Sequence, residues 1–259
     1  MTAKVYQSFR RFVITLGRLD AAHELTELAL REFSASLKGT SDFSEDVAKM
    51  ANRHGLHVRV DSPSGSFRTV ALSGIASAHA CYEAFLLEFC SEVGVLRSLE
   101  IDLGKTPKGV SKHDYFITCL KKAELYNTSV ESDLLNTVVE LTRLIRNEQA
   151  HKGRTPPKRI EELRTRLCDH TDWTEIFGDR RRPSEFSNIG FEDFLLFTHS
   201  VRRMAEFWCQ LLLPTCSSIA NHPDVVEFIS KEGRTKLPQF LRGRFALDPS
   251  TSKEVCSLV

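Results

Sequence analysis

Apolar residues recur along this chain at spacings of three and four over long stretches, the pattern of helices with one buried face. Over residues 4–37, Val5, Phe9, Phe12 and Leu16 form one stripe and Leu25, Leu28, Leu30 and Phe33 a second, which predicts helix broken near Gly17. A short helix is expected over 44–53, with Gly55 as its stop. Leu56-His-Val-Arg-Val60 and Phe67-Arg-Thr-Val70, joined by the turn-like Ser62-Pro-Ser-Gly65, fit a small β-hairpin near 56–70. The second arm fits the first turn of the following helix equally well.

That following helix, 73–93, is the most apolar: Ile75, Ala78, Tyr82, Phe85, Leu86 and Phe89 give one broad buried face. A helix over 112–125 comes next. Thr128-Ser-Val-Glu131 then resembles a capping box, in which the two side chains satisfy free backbone N–H groups. It opens a strongly periodic helix carrying Leu134, Leu135, Val138, Leu141 and Ile145, stopped after His151 by Gly153 and the Pro156-Pro157 pair. Residues 157–167 read as helix and 171–190 as a loop. A long apolar helix covers 191–213 and ends at Pro214, a shorter one covers 223–231, and the last fifteen residues read as an extended tail. The predicted fold class is all-α, an antiparallel bundle whose dominant core comes from the helices near 73–93, 130–152 and 191–213.

Composition narrows the function classes. The 259 residues carry 35 Lys plus Arg against 34 Asp plus Glu, a net charge of +1, so neither a basic arm nor an acidic tail is the theme. Only 13 Gly and 9 Pro argue against a turn-rich β-architecture. Seven cysteines, an odd number without a C-x-x-C pair, argue against a zinc ribbon or a disulfide framework. The opening MTAKVYQSFRRF lacks the apolar core of a signal peptide, and no apolar run approaches the roughly 18 residues of a membrane span. The expectation is a cytoplasmic, reduced protein with no membrane partner.

The informative stretch is Leu141-Thr-Arg-Leu-Ile-Arg-Asn-Glu-Gln-Ala-His-Lys152. Asn147 and His151 are four apart and share a helix face, while Arg146 reaches an adjoining sector. An imidazole, a guanidinium and an amide gathered in this way suit phosphoryl chemistry as proton shuttle, charge clamp and orienting group. On spacing alone the bland reading outweighs this one, because cations favour the negative end of a helix for structural reasons.

Arg146-Asn147-Glu148-Gln149-Ala150-His151 resembles the R-N-x-x-x-H motif of the HEPN (higher eukaryotes and prokaryotes nucleotide-binding) family. Ile75-Ala-Ser-Ala-His-Ala-Cys-Tyr-Glu-Ala-Phe-Leu86 is similar to that family's earlier core helix, with Glu83 at the place of its glutamate. A carboxylate on an apolar helix is costly unless paired, and Arg146 or Asn147 is the candidate partner. The resemblance covers residues 66–215 as a HEPN-like core, leaving 1–65 as an N-terminal helical extension and 216–259 as a short helix and tail. It implies a homodimer with two motif copies around one phosphate, and a metal-independent endoribonuclease that leaves a 2′,3′-cyclic phosphate. In that scheme Arg146, Asn147, His151 and Glu83 are the catalytic set, and RNA is the substrate. No cofactor is implied. The setting it implies is a toxin or antiphage system, with an antitoxin or regulatory protein as a further partner. The alternative is a non-catalytic HEPN-like dimerisation or nucleotide-binding module serving a separate protein.

Other candidates carry less. His79, one turn before Glu83, reads first as a core histidine with a hydrogen-bonded ring and second as an extension of the site. His54 and His57 have no third ligand at a useful spacing, so no metal site is expected. Lys152 and Arg154 are placed to bind flanking phosphates, and the Arg180-Arg-Arg182 triplet reads as a solvated charge run before it reads as an RNA contact. No G-x-S-x-G elbow and no phosphate-binding glycine loop occur. The closing Cys256-Ser-Leu-Val259 matches a prenylation box in form but lacks an upstream basic cluster.

Overall fold

A computed structural model of the chain describes residues 1–37, 43–58, 63–151 and 157–259. Among the described residues the structure is helical throughout, without a strand, so the all-α class holds. The β-hairpin near 56–70 is not formed by the described residues. Its second arm, Phe67 to Val70, lies in the first turns of a helix that starts at Pro63. Proline suits a first helical turn, since its missing N–H would be unpaired there in any case. Residues Arg59, Val60 and Ser62 of the expected hairpin lie outside the described residues.

Twelve α-helices follow one another among the described residues: α1 (Gln7–Ser36), α2 (Phe43–Arg53), α3 (Pro63–Arg97), α4 (Lys112–Lys122), α5 (Val130–Ala150), α6 (Pro157–Cys168), α7 (Trp173–Phe177), α8 (Phe191–Leu211), α9 (Cys216–Ala220), α10 (Pro223–Glu232), α11 (Leu237–Phe245) and α12 (Pro249–Ser257). They form two compact units. The first contains residues 1–15, 80–129 and 202–259, and the second residues 16–79 and 130–201.

The first unit is built on aromatic rings. Tyr6 meets Phe89 edge-on at 4.8 Å, Phe85 stacks on Phe89 at 5.3 Å, and Trp208 receives Phe116 and Tyr126 at 5.3 and 5.2 Å. A buried polar thread runs through them: the Trp208 indole N–H donates to the Tyr82 hydroxyl at 3.1 Å, which is 2.8 Å from Nδ1 of His113. Helix ends are closed by side chains from other helices. Glu92 of α3 accepts from the Gln7 and Ser8 backbone N–H groups and from the Ser8 hydroxyl, satisfying free donors of α1. The Tyr6 hydroxyl and Arg97 donate to the Leu212 and Leu213 carbonyls just past α8. Cys90 and Cys209 are core residues, and burial pushes the Cys90 thiol up to about 12.

The expected C-terminal tail is instead helical. Asp248 caps α12, accepting from the Ser250 hydroxyl at 2.5 Å and from the Thr251 N–H at 2.9 Å and its hydroxyl at 2.7 Å, which holds its carboxyl well below the usual range. Pro249 occupies the first helical position, and Val255 is buried. Asp followed by Pro is a helix-start signal. His222 does the same at α10, its Nδ1 accepting from the Asp224 N–H at 3.1 Å.

In the second unit, Leu134, Leu135, Val138, Leu141 and Ile145 of α5 are all buried, as their periodicity predicts, with Ile160, Leu163 and Leu167 of α6. Gly74 of α3 sits under His23 and Phe194, whose rings stack at 4.7 Å. A Cβ there would lie 2.6 Å from the His23 ring, so the close approach requires glycine. α1 is unbroken at Gly17, because one glycine costs about 1 kcal/mol in a helix and flanking packing offsets it. The second stripe expected on α1 is therefore displaced. Leu25 and Leu28 are 67% and 55% exposed, whereas Glu27 is only 7% exposed and is paired with Arg31 at 2.9 Å.

α3 is long and apolar enough to cross a membrane, with an 18-residue stretch of mean hydropathy 1.4, which revises the expectation that no apolar run approaches that length. Half of that stretch is buried inside the protein, a property of core helices.

Two consequences are measurable. Glu92→Ala should lower unfolding free energy by about 1–3 kcal/mol in urea, because it strands buried donors, and Glu92→Gln should cost less. Burial holds the His222 imidazole below its ordinary 6.5, opposed by Asp224 and aided by Arg244. A depressed folded pKa means the unfolded chain binds the proton first. The stability His222 contributes is thus present above pH 6.5 and lost as pH falls through the folded value. Melting temperature should fall more steeply below pH 6.5 for the parent than for His222→Asn, which keeps a capping acceptor that does not titrate.

Candidate functional site

The last turns of α5 carry Arg146 and Asn147, both half-buried, and His151 follows directly as an exposed residue. The seam of Leu141, Leu144 and Ile145 faces the core and sets the rotation of the helix, leaving these polar groups at the margin of the buried face. The His151 N–H still bonds the Asn147 carbonyl at 2.9 Å, so the backbone follows the helix line to that residue. α5 opens at Val130, within the Thr128–Glu131 capping signal.

Arg146 is ordered by specific partners. One terminal nitrogen donates to Oδ1 of Asn147 at 3.1 Å, and the other lies 3.4 Å from Nδ1 of His79 on α3. His79 is 3% exposed, and its ring lies nearly parallel to that of Phe197, 13° apart with centroids at 6.2 Å. One turn earlier on α5, Arg143 and Glu140 form a two-pronged ion pair at 2.6 and 2.7 Å. The structure therefore brings Arg146, Asn147 and His79 together in the second unit. Glu83, half-buried, falls in the first unit, one turn beyond His79 along α3. Lys152 and Arg154, with the helix stop at Gly153 and Pro156, lie outside the described residues.

His79 is the residue whose contact the spacing did not reveal: sixty-seven positions separate it from Arg146. Its one sequence signal is a histidine on an otherwise apolar helix face beside Ala78 and Tyr82.

The other candidates resolve into structural roles or bare surface. Arg182 donates to the Leu167, Cys168 and His170 carbonyls at the end of α6 and lies over the Trp173 ring at 5.5 Å. It closes a helix end instead of waiting for phosphate. Arg181 is exposed. A groove of about 430 Å³ lined by Leu30, Phe33, Phe43, Val47, Met50 and Leu56 is apolar and holds His54 at its margin. Among the described residues no group of three or more His, Cys, Asp or Glu could hold a metal ion, and the cysteines are free thiols.

Comparison with protein-family models, with characterised proteins and with solved structures finds no significant match.

Arg182→Ala should destabilise the fold by about 1–3 kcal/mol in urea unfolding, since it leaves carbonyls at the end of α6 without a donor. Arg181→Ala should stay within about 0.5 kcal/mol of the parent. Equal effects of the two would show that the triplet acts as a charge run, not as a helix cap.

Proposed function

We propose that the chain is a HEPN-type antiparallel helical bundle that acts, as a homodimer, as a metal-independent endoribonuclease. The observation that carries this reading is the end of α5: a guanidinium bound by Asn147 and His79, followed within two turns by an exposed imidazole at His151. The motif resemblance at Arg146–His151 and the all-α architecture support it further.

In this reading the ribose 2′ oxygen attacks the adjacent phosphorus. The O2′–P bond forms, the P–O5′ bond breaks, and the products are a 2′,3′-cyclic phosphate and a free 5′-OH. One His151 takes the 2′-OH proton, and His151 of the second copy supplies a proton to the departing 5′ oxygen. Arg146 stabilises the extra negative charge that builds on the phosphoryl oxygens. Asn147 and Glu83 orient the arginine and the imidazole. Lys152 and Arg154 bind flanking phosphates. The proposed setting is a toxin or antiphage system in the cytoplasm, with an antitoxin or regulatory protein as partner.

The second reading is a non-catalytic HEPN-like module for dimerisation or nucleotide binding. It draws on the same hydrogen bonds, because an arginine tied to Asn147 and His79 also serves to join α5 to α3.

RNA cleavage in EDTA separates the two. The parent should cut and leave 2′,3′-cyclic phosphate ends. His151→Ala should lose about 10²–10⁴-fold in rate and Arg146→Ala about 10²–10³-fold, with both variants folded. Variants that cut as well as the parent would remove the site from the reaction. A parent inert toward varied RNAs would favour the non-catalytic module.

A further inference from the structure

We propose that His79 is a positioning residue for Arg146, held as the neutral Nε2–H tautomer so that its Nδ1 lone pair accepts from the guanidinium. The proposal rests on the reading of Arg146 as the group that stabilises charge on the phosphate, and adds to it the side chain that aims the guanidinium.

The chemistry of the two groups fixes the direction of the contact. A guanidinium carries donors and no acceptor. The nitrogen facing it at 3.4 Å, Nδ1 of His79, is therefore unprotonated, and the ring's proton sits on Nε2. A charged imidazolium, with a proton on both nitrogens, cannot make this bond. His23 supplies the contrast within the same unit. Its Nδ1 lies 3.1 Å from the Leu19 carbonyl one turn back on its own helix, so it donates from Nδ1 and is the opposite tautomer when neutral. A histidine that served only to fill the core has that local carbonyl solution open to it. His79 instead directs the same ring atom across to α5.

The ring is also held still. His79 is 3% exposed, and the nearly parallel Phe197 ring at 6.2 Å restricts its plane. Ala78, on the adjoining sector of α3, is fully buried, so the helix itself has little freedom to roll. Asn147 holds the other terminal nitrogen at 3.1 Å. Two acceptors on two different helices thus fix the guanidinium plane. A planar group held at two corners keeps one orientation, which is the property needed to meet a phosphoryl group in one geometry.

The tests read orientation separately from activity. Long-range proton–nitrogen correlation spectra of the full-length parent should show His79 protonated at Nε2 and bare at Nδ1. A proton on Nδ1 would overturn the proposal without any variant. His79→Phe keeps an aromatic ring against Phe197 and deletes the acceptor, whereas His79→Asn places an amide oxygen near the position of Nδ1. Arg146 side-chain N–H signals should be resolved in the parent and in His79→Asn, and averaged by rotation in His79→Phe. In RNA cleavage, His79→Phe should lose about 100-fold in kcat with KM nearly unchanged, and His79→Asn should recover most of it. A folded His79→Phe that keeps both the Arg146 signals and kcat would overturn the proposal. If the parent cuts no RNA while the Arg146 signals still depend on His79, the positioning role stands and the endoribonuclease reading fails.

Discussion

The backbone of α1 runs unbroken from Gln7 to Ser36, so the phase set by Phe9, Phe12 and Leu16 carries past Gly17 at the period of the helix. That continuity turns Asp20, His23 and Glu27 toward the protein and Leu25 and Leu28 toward solvent, whatever their individual hydrophobicity. α3 and α8 impose the same constraint, since each is one long helix. Along α3 the phase that buries Ile75, Ala78 and Tyr82 also buries His79, a polar ring that must then find a partner. The contact with Arg146 is one outcome of that requirement. The charge of Glu27, matched by Arg31 four residues on, is another.

Polar side chains do much of the work at the ends of these helices. Glu92 closes the start of α1, Arg97 and Tyr6 the chain beyond α8, Arg182 the end of α6, and Asp248 the start of α12. Most of these are reached from another part of the chain, so they join elements as well as ending them. The same logic applies to Arg146, whose guanidinium joins α5 to α3 through His79. What distinguishes Arg146 is the exposed His151 five residues on, at the foot of the same helix.

Much of the fold was legible in the sequence, because long amphipathic helices advertise their inner faces. The α5 seam from Leu134 to Ile145 is buried as its spacing predicts, and α8 and α10 follow their apolar periods and proline boundaries. The failures have local causes. Phe67, Thr69 and Val70 are residues that favour strands, yet Pro63 starts a helix that outweighs this short run. α12 is short and mostly polar, so its periodicity is faint, although Asp248–Pro249 marks its start. Leu25 and Leu28 form a stripe only if α1 breaks. For the candidate site, the spacing of Arg146, Asn147 and His151 was readable because it is local. The contact between Arg146 and His79 was not, since it joins residues sixty-seven apart and depends on how α3 and α5 rotate against each other.

The proposed reaction uses the 2′ oxygen of the substrate. The most direct measurement is cleavage of an RNA oligonucleotide carrying a single 2′-deoxy residue at a bond the protein otherwise cuts. This bond should survive while neighbouring susceptible bonds are cut to 2′,3′-cyclic phosphates. Cleavage at the 2′-deoxy position, or 3′-hydroxyl ends in place of cyclic phosphates, would contradict it.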